Sequence, residues 1–276
     1  MSQTSVSIKV MEIALVAFLG LLFGSFVNAL VWRLRKKRDF VKERSECTHC
    51  HHVLEWYDLV PVLSWLSLGG KCRYCHKKID DSPLTEIGVS VAFAISYAWW
   101  PFGFSAAGWA LLVLWLVALV FLAALFLYDL KWSLLPNSLM FPLIGIGIVW
   151  TVIYHVFLTT ESPQLILWNI VLGIASVAGL YGFLYWVSKG EWVGFGDVKL
   201  GIFMGLVLGW QQGLLAVMLA NVIAFLIIIP GLLSGKMTRK SRMPFGPFLI
   251  VATLIALLFG DQLIAAYFSV VFGPSP

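Results

Sequence analysis

Charge is what this sequence holds least of. Asp, Glu, Lys and Arg together make up 12% of its 276 residues, about half the roughly 25% found in a soluble globular domain. Hydrophobic residues reach 60% and the mean hydropathy is +0.91. This shortage excludes an ordinary soluble domain and points to a polytopic membrane protein. Polar sequence is scarce too: one stretch, from about Arg33 to Ser82, is long enough to fold separately. Cysteine is absent outside that stretch. No internal repeat or low-complexity tract is visible. No Gly-rich turn follows a predicted strand, so a soluble dinucleotide-type site is not indicated. Only Lys9 precedes the first apolar segment and no persuasive small-residue cleavage site follows it, so a cleaved signal peptide is not expected. The net charge of +5 does not indicate a nucleic-acid binder, because the basic residues lie in short runs between apolar segments, a pattern of membrane topology.

The apolar segments set the expected fold class, an all-α polytopic membrane protein. A spanning helix needs about 20 mostly apolar residues. Eight candidates run over Met11–Trp32, Leu84–Trp100, Ala106–Tyr128, Ser138–Leu158, Leu165–Val187, Val198–Trp210, Gly213–Leu233 and Pro247–Val270. The sixth is short and is expected to be tilted, re-entrant or buried among other helices. Three regions follow: a first transmembrane helix (1–32), a cytoplasmic loop domain (33–83) and a multi-helix membrane domain (84–276). The run "WRLRKKRDFVKER" after the first segment fixes the loop as cytoplasmic. With both termini outside, Lys131, Lys189, Lys199 and the basic run Gly235–Arg242 also fall on the cytoplasmic side.

All four cysteines lie in that loop, as "ECTHC" and "KCRYC": Cys47, Cys50, Cys72 and Cys75. Two C-x-x-C pairs separated by 21 residues match a four-thiolate zinc site. Each pair makes a tight turn that aims two sulfurs at one point. Four protein ligands leave no open position, so such a zinc would be structural, and a loop with little core would draw much of its folding free energy from it. The alternatives are four reduced structural thiols, disulfides, which cytoplasmic placement disfavours, and c-type haem. The haem reading arises because His51 and His76 complete two C-x-x-C-H signatures, but haem attachment occurs outside the cytoplasm. His49, His51, His52 and His76 are expected at the surface or behind the ligands rather than in place of a thiolate.

Two aspartates stand at cytoplasmic ends of spans: Asp129 in "FLYDLKWSLLPN" and Asp197 in "GFGDVKLG". An ionised carboxylate near lipid is costly unless water or a partner relieves it. Two carboxylates at one depth on different helices suggest an aspartyl protease dyad, in which close approach prevents both from ionising and one proton is shared. Taken singly, each reads more simply as a solvated helix end or cap. Gly194 and Gly196 would let the backbone bend and approach a substrate chain. Gly201, Gly205 and Gly209 form a small-residue row for tight helix packing, expected to bring Asp197 toward the helix ending at Asp129. The bland reading is that these glycines serve packing alone. Lys131 and Lys199, each two residues after an aspartate, do not face it in a helix and are expected to snorkel to headgroups.

Together these motifs resemble the type IV prepilin peptidases, and the resemblance covers nearly the whole chain. It is carried by "GSFVNALVWRL", the cysteine loop, "DLKWSLLPN", "GFGDVKL" and "PFGPFL". It implies an endopeptidase of the bacterial inner membrane that removes the basic leader of prepilins and pseudopilins after a glycine at the cytoplasmic face. It further implies methylation of the new N-terminal amine with S-adenosylmethionine. Under it the catalytic pair is Asp129 and Asp197, with Gly194, Gly196, Lys131 and Lys199 as supporting motif residues, and the metal ligands are Cys47, Cys50, Cys72 and Cys75. It names no residues for the methyl donor, whose pocket is expected to use the loop and adjacent helix ends. The chain departs from the family pattern in small ways. No proline follows Cys47, "DDSPLTE" lacks the usual Tyr-Pro, and Asn137 stands where an aspartate is common. A basic leader should also be repelled by the basic loop, which Glu43, Glu46, Glu55, Asp58, Asp80, Asp81 and Glu86 could offset. Competing readings are a signal-peptide-peptidase or preflagellin-peptidase type protease, a transporter with a regulatory zinc loop, and a membrane scaffold.

Overall fold

All eight apolar segments fall in helices of the computed structural model, which describes residues 3–39, 44–79, 81–235 and 243–273. The basic run at 236–242, Glu43 and Asp80 lie outside the described residues. The helices are α1 (Gln3–Lys36), a five-residue α2 (Leu63–Ser67), α3 (Leu84–Ala98), α4 (Ala106–Trp132), α5 (Asn137–Phe157), α6 (Pro163–Ile174), α7 (Leu180–Ser188), α8 (Phe195–Leu233) and α9 (Gly246–Phe272). A π-helical turn, Ala175–Gly179, joins α6 to α7. Among the described residues the extended pairing is limited to two isolated bridges, Glu46 with Val53 and Lys71 with Lys78.

Six helical stretches are long and apolar enough to cross a bilayer: Ser7–Lys36, Ala106–Trp132, Asn137–Phe157, Pro163–Ser188, Phe195–Leu233 and Gly246–Phe272. The difference from eight has two physical sources. α3 has 15 residues, short of the roughly 20 that span the hydrocarbon core. The sixth and seventh predicted segments share α8, whose 39 residues would measure about 58 Å if straight, nearly twice a bilayer core of about 30 Å. α8 is not continuous: Gly209, at φ 68 and ψ −170, breaks it. Only glycine adopts such a conformation without strain, so the short sixth segment ends where its glycine row ends. Many large side chains on these helices remain exposed, including Leu15, Phe18, Leu167, Trp168, Val222 and Phe225. In water that area would cost roughly 25 cal/mol per Å²; against lipid tails it costs little.

The chain divides into two compact units, one of Met1–Trp100 with Leu119–Leu127, the other of Pro101–Ala118 with Tyr128–Pro276. In the first, α1 packs tightly on α3 because Gly20 and Gly24 leave room for it. A Cβ on Gly20 would sit 2.6 Å from Ser90 Cα, and one on Gly24 2.5 Å from Glu86 Cα. Ser90 Oγ donates to the Ala17 carbonyl at 2.8 Å and seals this contact. In the second, α8 packs against α5, α6, the π turn, α7 and α9. Thr151 of α5 donates to the Leu206 carbonyl of α8 at 2.9 Å, a polar link of the kind that joins helices in lipid.

The small-residue row on α8 meets a different neighbour from the one expected. A Cβ on Gly205 would lie 2.4 Å from the Gly173 carbonyl oxygen and 2.7 Å from Ile174 Cα, and one on Gly201 3.0 Å from Ala178 Cα. The row therefore seats the end of α6 and the π turn, not the helix that ends at Asp129. The sequence shows that a row of glycines wants a close partner but not which helix supplies it.

Candidate metal centre and paired-aspartate site

The cysteine loop is built from two turns of the same design. The Cys47 N–H donates to the His52 carbonyl at 2.9 Å and the His51 N–H to the Cys47 carbonyl at 2.9 Å. In the second turn Cys72 N–H donates to Lys77 O at 2.8 Å and His76 N–H to Cys72 O at 2.9 Å. His51 and His76 occupy equivalent left-handed positions, each with φ 57. Histidine tolerates that conformation better than most residues, so the two C-x-x-C-H matches mark turn corners.

The four Sγ atoms all lie within 4.8 Å of one another, so the cysteines are positioned to bind one metal ion. Thiolate–zinc bonds of about 2.3 Å put the sulfurs of a tetrahedral centre roughly 3.8 Å apart, and Cys47 Sγ to Cys75 Sγ measures 3.8 Å. Burial opposes ionisation of Cys47, but the N–H groups of Cys50 and His49 and the thiols of Cys72 and Cys50 outweigh it and bring its pKa down to about 6. Cys50 moves the other way, to about 11. The His52 N–H favours its thiolate, but burial and the thiols of Cys47 and Cys75 prevail. Crowded thiolates resist ionising together, a conflict a bound dication relieves. The loop is braced by Arg73, which donates to Asp58 at 2.8 Å, and by the Tyr74 hydroxyl, 3.2 Å from the same carboxylate.

Asp129 and Asp197 both lie in the second unit, where the charge of Asp129 reaches Asp197. Asp129 sits in the last turn of α4 and is buried, at 5% exposure. α4 stops four residues later at Ser133, whose left-handed backbone (φ 51) returns its N–H to the Asp129 carbonyl at 2.7 Å. Asp197 is in the first turn of α8 and 9% exposed. It reaches back to cap its own helix, its Oδ2 accepting from the Gly194 N–H at 3.2 Å, which satisfies one otherwise unpaired helix-start donor. Asp129 Oδ2 accepts from the Gly246 N–H, at the start of α9, at 3.1 Å. Each carboxylate thus spends one oxygen on a single backbone donor; no further hydrogen bond to either forms among the described residues.

Leu135 ties these pieces together. A Cβ on Gly196 would stand 2.8 Å from Leu135 Cβ, and one on Gly246 2.7 Å from Asp129 Oδ2 and 3.5 Å from Leu135 Cδ2. Any side chain at Gly246 would push on the Asp129 carboxylate, and any at Gly196 on Leu135. Gly194 is different: its φ of −77 is open to any residue, and an added Cβ would make an ordinary 3.6 Å contact. Lys199 does not simply extend to headgroups. Its ammonium donates to Asn137 Oδ1 at 2.5 Å and lies over the rings of Phe195 and Phe141. Lys131 lies 6.0 Å from the Trp132 ring.

Three residues beside the aspartates carried no assigned role in the sequence reading. Gly246 was visible only as part of "PFGPFL", and Leu135 only as an apolar residue between two helices. Tyr181 follows the π turn; its buried hydroxyl has no hydrogen-bond partner among the described residues. It lies within the electrostatic reach of Asp197, and its ring is 6.0 Å from Phe245. A phenol in an otherwise apolar helix was the available signal.

Comparison with known proteins identifies the family. Residues 18–100 match the bacterial peptidase A24 N-terminal domain, and residues 116–229 match the type IV leader peptidase family. The prepilin leader peptidase/N-methyltransferase of Stutzerimonas stutzeri is 32% identical over 90% of this chain and 91% of its own length. The proteins of the same description from Pseudomonas aeruginosa and Aeromonas hydrophila are 31% and 30% identical, over 90% and 92% of this chain and 91% and 93% of theirs. No solved structure matches the chain. Two family matches in tandem and relatives similar along nearly their full length place this multi-pass membrane chain in the type IV leader peptidase family.

Proposed function

We propose that this chain removes the basic leader of type IV prepilins and pseudopilins after a glycine, at the cytoplasmic face of the bacterial inner membrane, and then methylates the new N-terminal amine with S-adenosylmethionine. The observation that carries the peptidase reading is that the backbone beside each aspartate, Gly246 for Asp129 and Gly196 for Asp197, closes on Leu135, with one oxygen of each carboxylate uncommitted to the fold. In this reading the pair holds one proton. The ionised carboxylate takes a proton from the attacking water while the protonated one donates to the scissile carbonyl, and the roles exchange as the amine leaves. Gly196 and Gly246 keep the space beside the carboxylates free of side chains. Lys199, held by Asn137, steadies the start of α8 and with it Asp197; Lys131 puts a positive charge in the last turn of α4, where it complements the helix dipole. The basic run after α1 supports a cytoplasmic loop; with α3 and each of the two legs of α8 crossing the bilayer, both aspartates fall on that same side, where the leader and the membrane-embedded stem of a prepilin meet, and both termini fall in the periplasm.

Zinc is the metal that best suits four thiolates in a reducing compartment, and with four protein ligands its role is structural. The methyl donor supplies an electrophilic methyl group; the chain must hold it beside a deprotonated amine. The division into helix 1–32, loop 33–83 and membrane domain 84–276 assigns metal binding to the loop and proteolysis to the last part. The test is a mass measurement on a prepilin incubated with membranes holding the wild type, Asp129→Asn or Asp197→Asn. Each substitution is expected to cut the cleavage rate by at least about 10²-fold at unchanged expression. Robust cleavage by either variant would remove the dyad.

A further inference from the structure

The loop between α1 and α3 contains one uncharged stretch, residues 59–70, with α2 at its centre. Leu63 and Leu66, one turn apart on the same side of α2, are 66% and 60% exposed. Trp65 and Leu68 turn the other way and line the interior of the first unit. A short helix that is apolar on both sides is out of place in water, above all in a loop otherwise rich in charge. The charge at the near end of the stretch, Asp58, is paired with Arg73 at 2.8 Å.

The register of α1 on α3 gives the depth of α2. Gly20 lies against Ser90 and Gly24 against Glu86, so the two helices run antiparallel in contact. The Val62 N–H, at the start of α2, donates to Glu86 Oε2 at 2.6 Å. The start of α2 is therefore within a side chain's length of the level of Gly24. α1 stays uncharged for eight further residues, through Trp32, before Arg33. At 1.5 Å per residue that is about 12 Å of apolar helix beyond this level. α2 thus begins well inside the depth at which α1 leaves the hydrocarbon. The 15-residue α3 starts at the same depth, with Leu84 and Ile87 of its first turn exposed. Glu86 tolerates this place because Val62 and Ser25 both donate to it.

The backbone is bent to put α2 there. Val62 has φ 61 and ψ −50, and the Leu63 N–H donates to the Pro61 carbonyl at 2.6 Å, a tight three-residue turn. A β-branched residue rarely takes a positive φ, and this turn is a strained one. Such strain persists only where the surroundings impose it, and here the bond to Glu86 does so. We propose that α2 is a re-entrant membrane anchor. It enters the cytoplasmic side of the bilayer beside α1 and α3, seats Leu63 and Leu66 among the acyl chains, and fills the depth that α3 is too short to reach. Its outer face continues the lipid-facing surface that Phe18, Phe23 and Phe26 of α1 present. Trp56 and Tyr57, exposed just before it, are of the residue types that gather at the membrane–water boundary. Cys72 follows α2 by five residues, so the anchor holds the cysteine turns at the membrane surface. This seating does not depend on the peptidase or methyltransferase reading.

The test uses full-length, zinc-loaded protein in phospholipid nanodiscs. The photoreactive amino acid p-benzoylphenylalanine replaces Leu63 or Leu66, with Phe18 on α1 as the lipid-facing reference and Lys77 as the loop reference. After ultraviolet irradiation, lipid adducts are counted by peptide mass spectrometry. Positions 63 and 66 are expected to match position 18 and to exceed position 77 by about tenfold, as burial of a leucine in an apolar phase requires. Adducts at 63 and 66 no more frequent than at 77 would overturn the anchor. So would cross-links at 63 and 66 that join two copies of the chain instead of reaching lipid. Where a replacement lowers the zinc content, hydroxyl-radical footprinting of the wild type in the same nanodiscs decides. Leu63 and Leu66 protected as well as Leu15 and Leu22 of α1 would support the anchor; oxidation as strong as at Val53, exposed in the first cysteine turn, would overturn it.

Discussion

The cysteine loop and the aspartate site solve the same problem, holding reactive side chains in one place, by opposite means. The loop does it with local chemistry. Two short turns with matching hydrogen bonds and left-handed histidines present four sulfurs; the cysteines of each pair are three residues apart, so a single closure between Cys50 and Cys72 brings the set together. The aspartate site has no local frame. Asp129, Leu135, Gly196, Asp197 and Gly246 come from three distant stretches, held by close-packed membrane helices and a few backbone hydrogen bonds. Where a core is too small, a metal replaces it; where lipid removes the hydrophobic drive between helices, glycine and backbone contacts replace that.

Metal removal should separate the two regions most sharply. Structural zinc contributes on the order of 10 kcal/mol to small metal-folded domains. Chelation is therefore expected to open residues 44–79 to hydrogen exchange and proteolysis while 137–272 keep their protection. Equal loss of protection in both would show that the loop does not fold as a metal-dependent unit. The helix seam should respond to a single carbon. Gly205→Ala places a Cβ 2.4 Å from the Gly173 carbonyl oxygen and is expected to destabilise by roughly 1–3 kcal/mol, read as a lower thermal midpoint. Gly145→Ala, with nothing within 4 Å of the new carbon, should be neutral or stabilising by up to about 1 kcal/mol. Equal effects at the two positions would contradict the packing assigned to the glycine row.

Acid gives a smaller and graded effect, confined to the loop. Cys47 has a folded pKa of about 6 against an ordinary 9.0. Its thiolate therefore favours the folded loop fully above about 9, and that contribution is lost as pH falls through 6. Metal binding adds to the same direction, because protons compete for the sulfurs. Metal affinity measured between pH 8 and pH 5 is expected to fall throughout, because the Cys50 thiol, with a pKa of about 11, takes up a proton over the whole range, and to fall more steeply below about 6, where Cys47 does too. A slope that does not steepen below 6 would mean that Cys47 is not a ligand.

What could be read from sequence follows the same division. The cysteine spacing carries its geometry within a few residues, so the gathering of the four cysteines at one point was legible and the two C-x-x-C-H matches could be weighed. The apolar segments were legible because bilayer thickness sets their length, and the short sixth one is the leg of α8 that Gly209 ends. The glycine row announced a close contact, but its partner, the π turn after α6, is fixed by side-chain complementarity across the fold and leaves no periodic trace. Gly246 and Leu135 were hidden for the same reason: each matters through what a distant residue does not have room for.

The central claim is that Asp129 and Asp197 act as one proton-sharing unit. A double-mutant cycle on prepilin cleavage tests it most directly, comparing Asp129→Asn, Asp197→Asn and the double variant. A shared unit is lost whole when either member goes, so the double variant should cleave no more slowly than either single one. Losses that multiply, each aspartate contributing separately, would contradict the account.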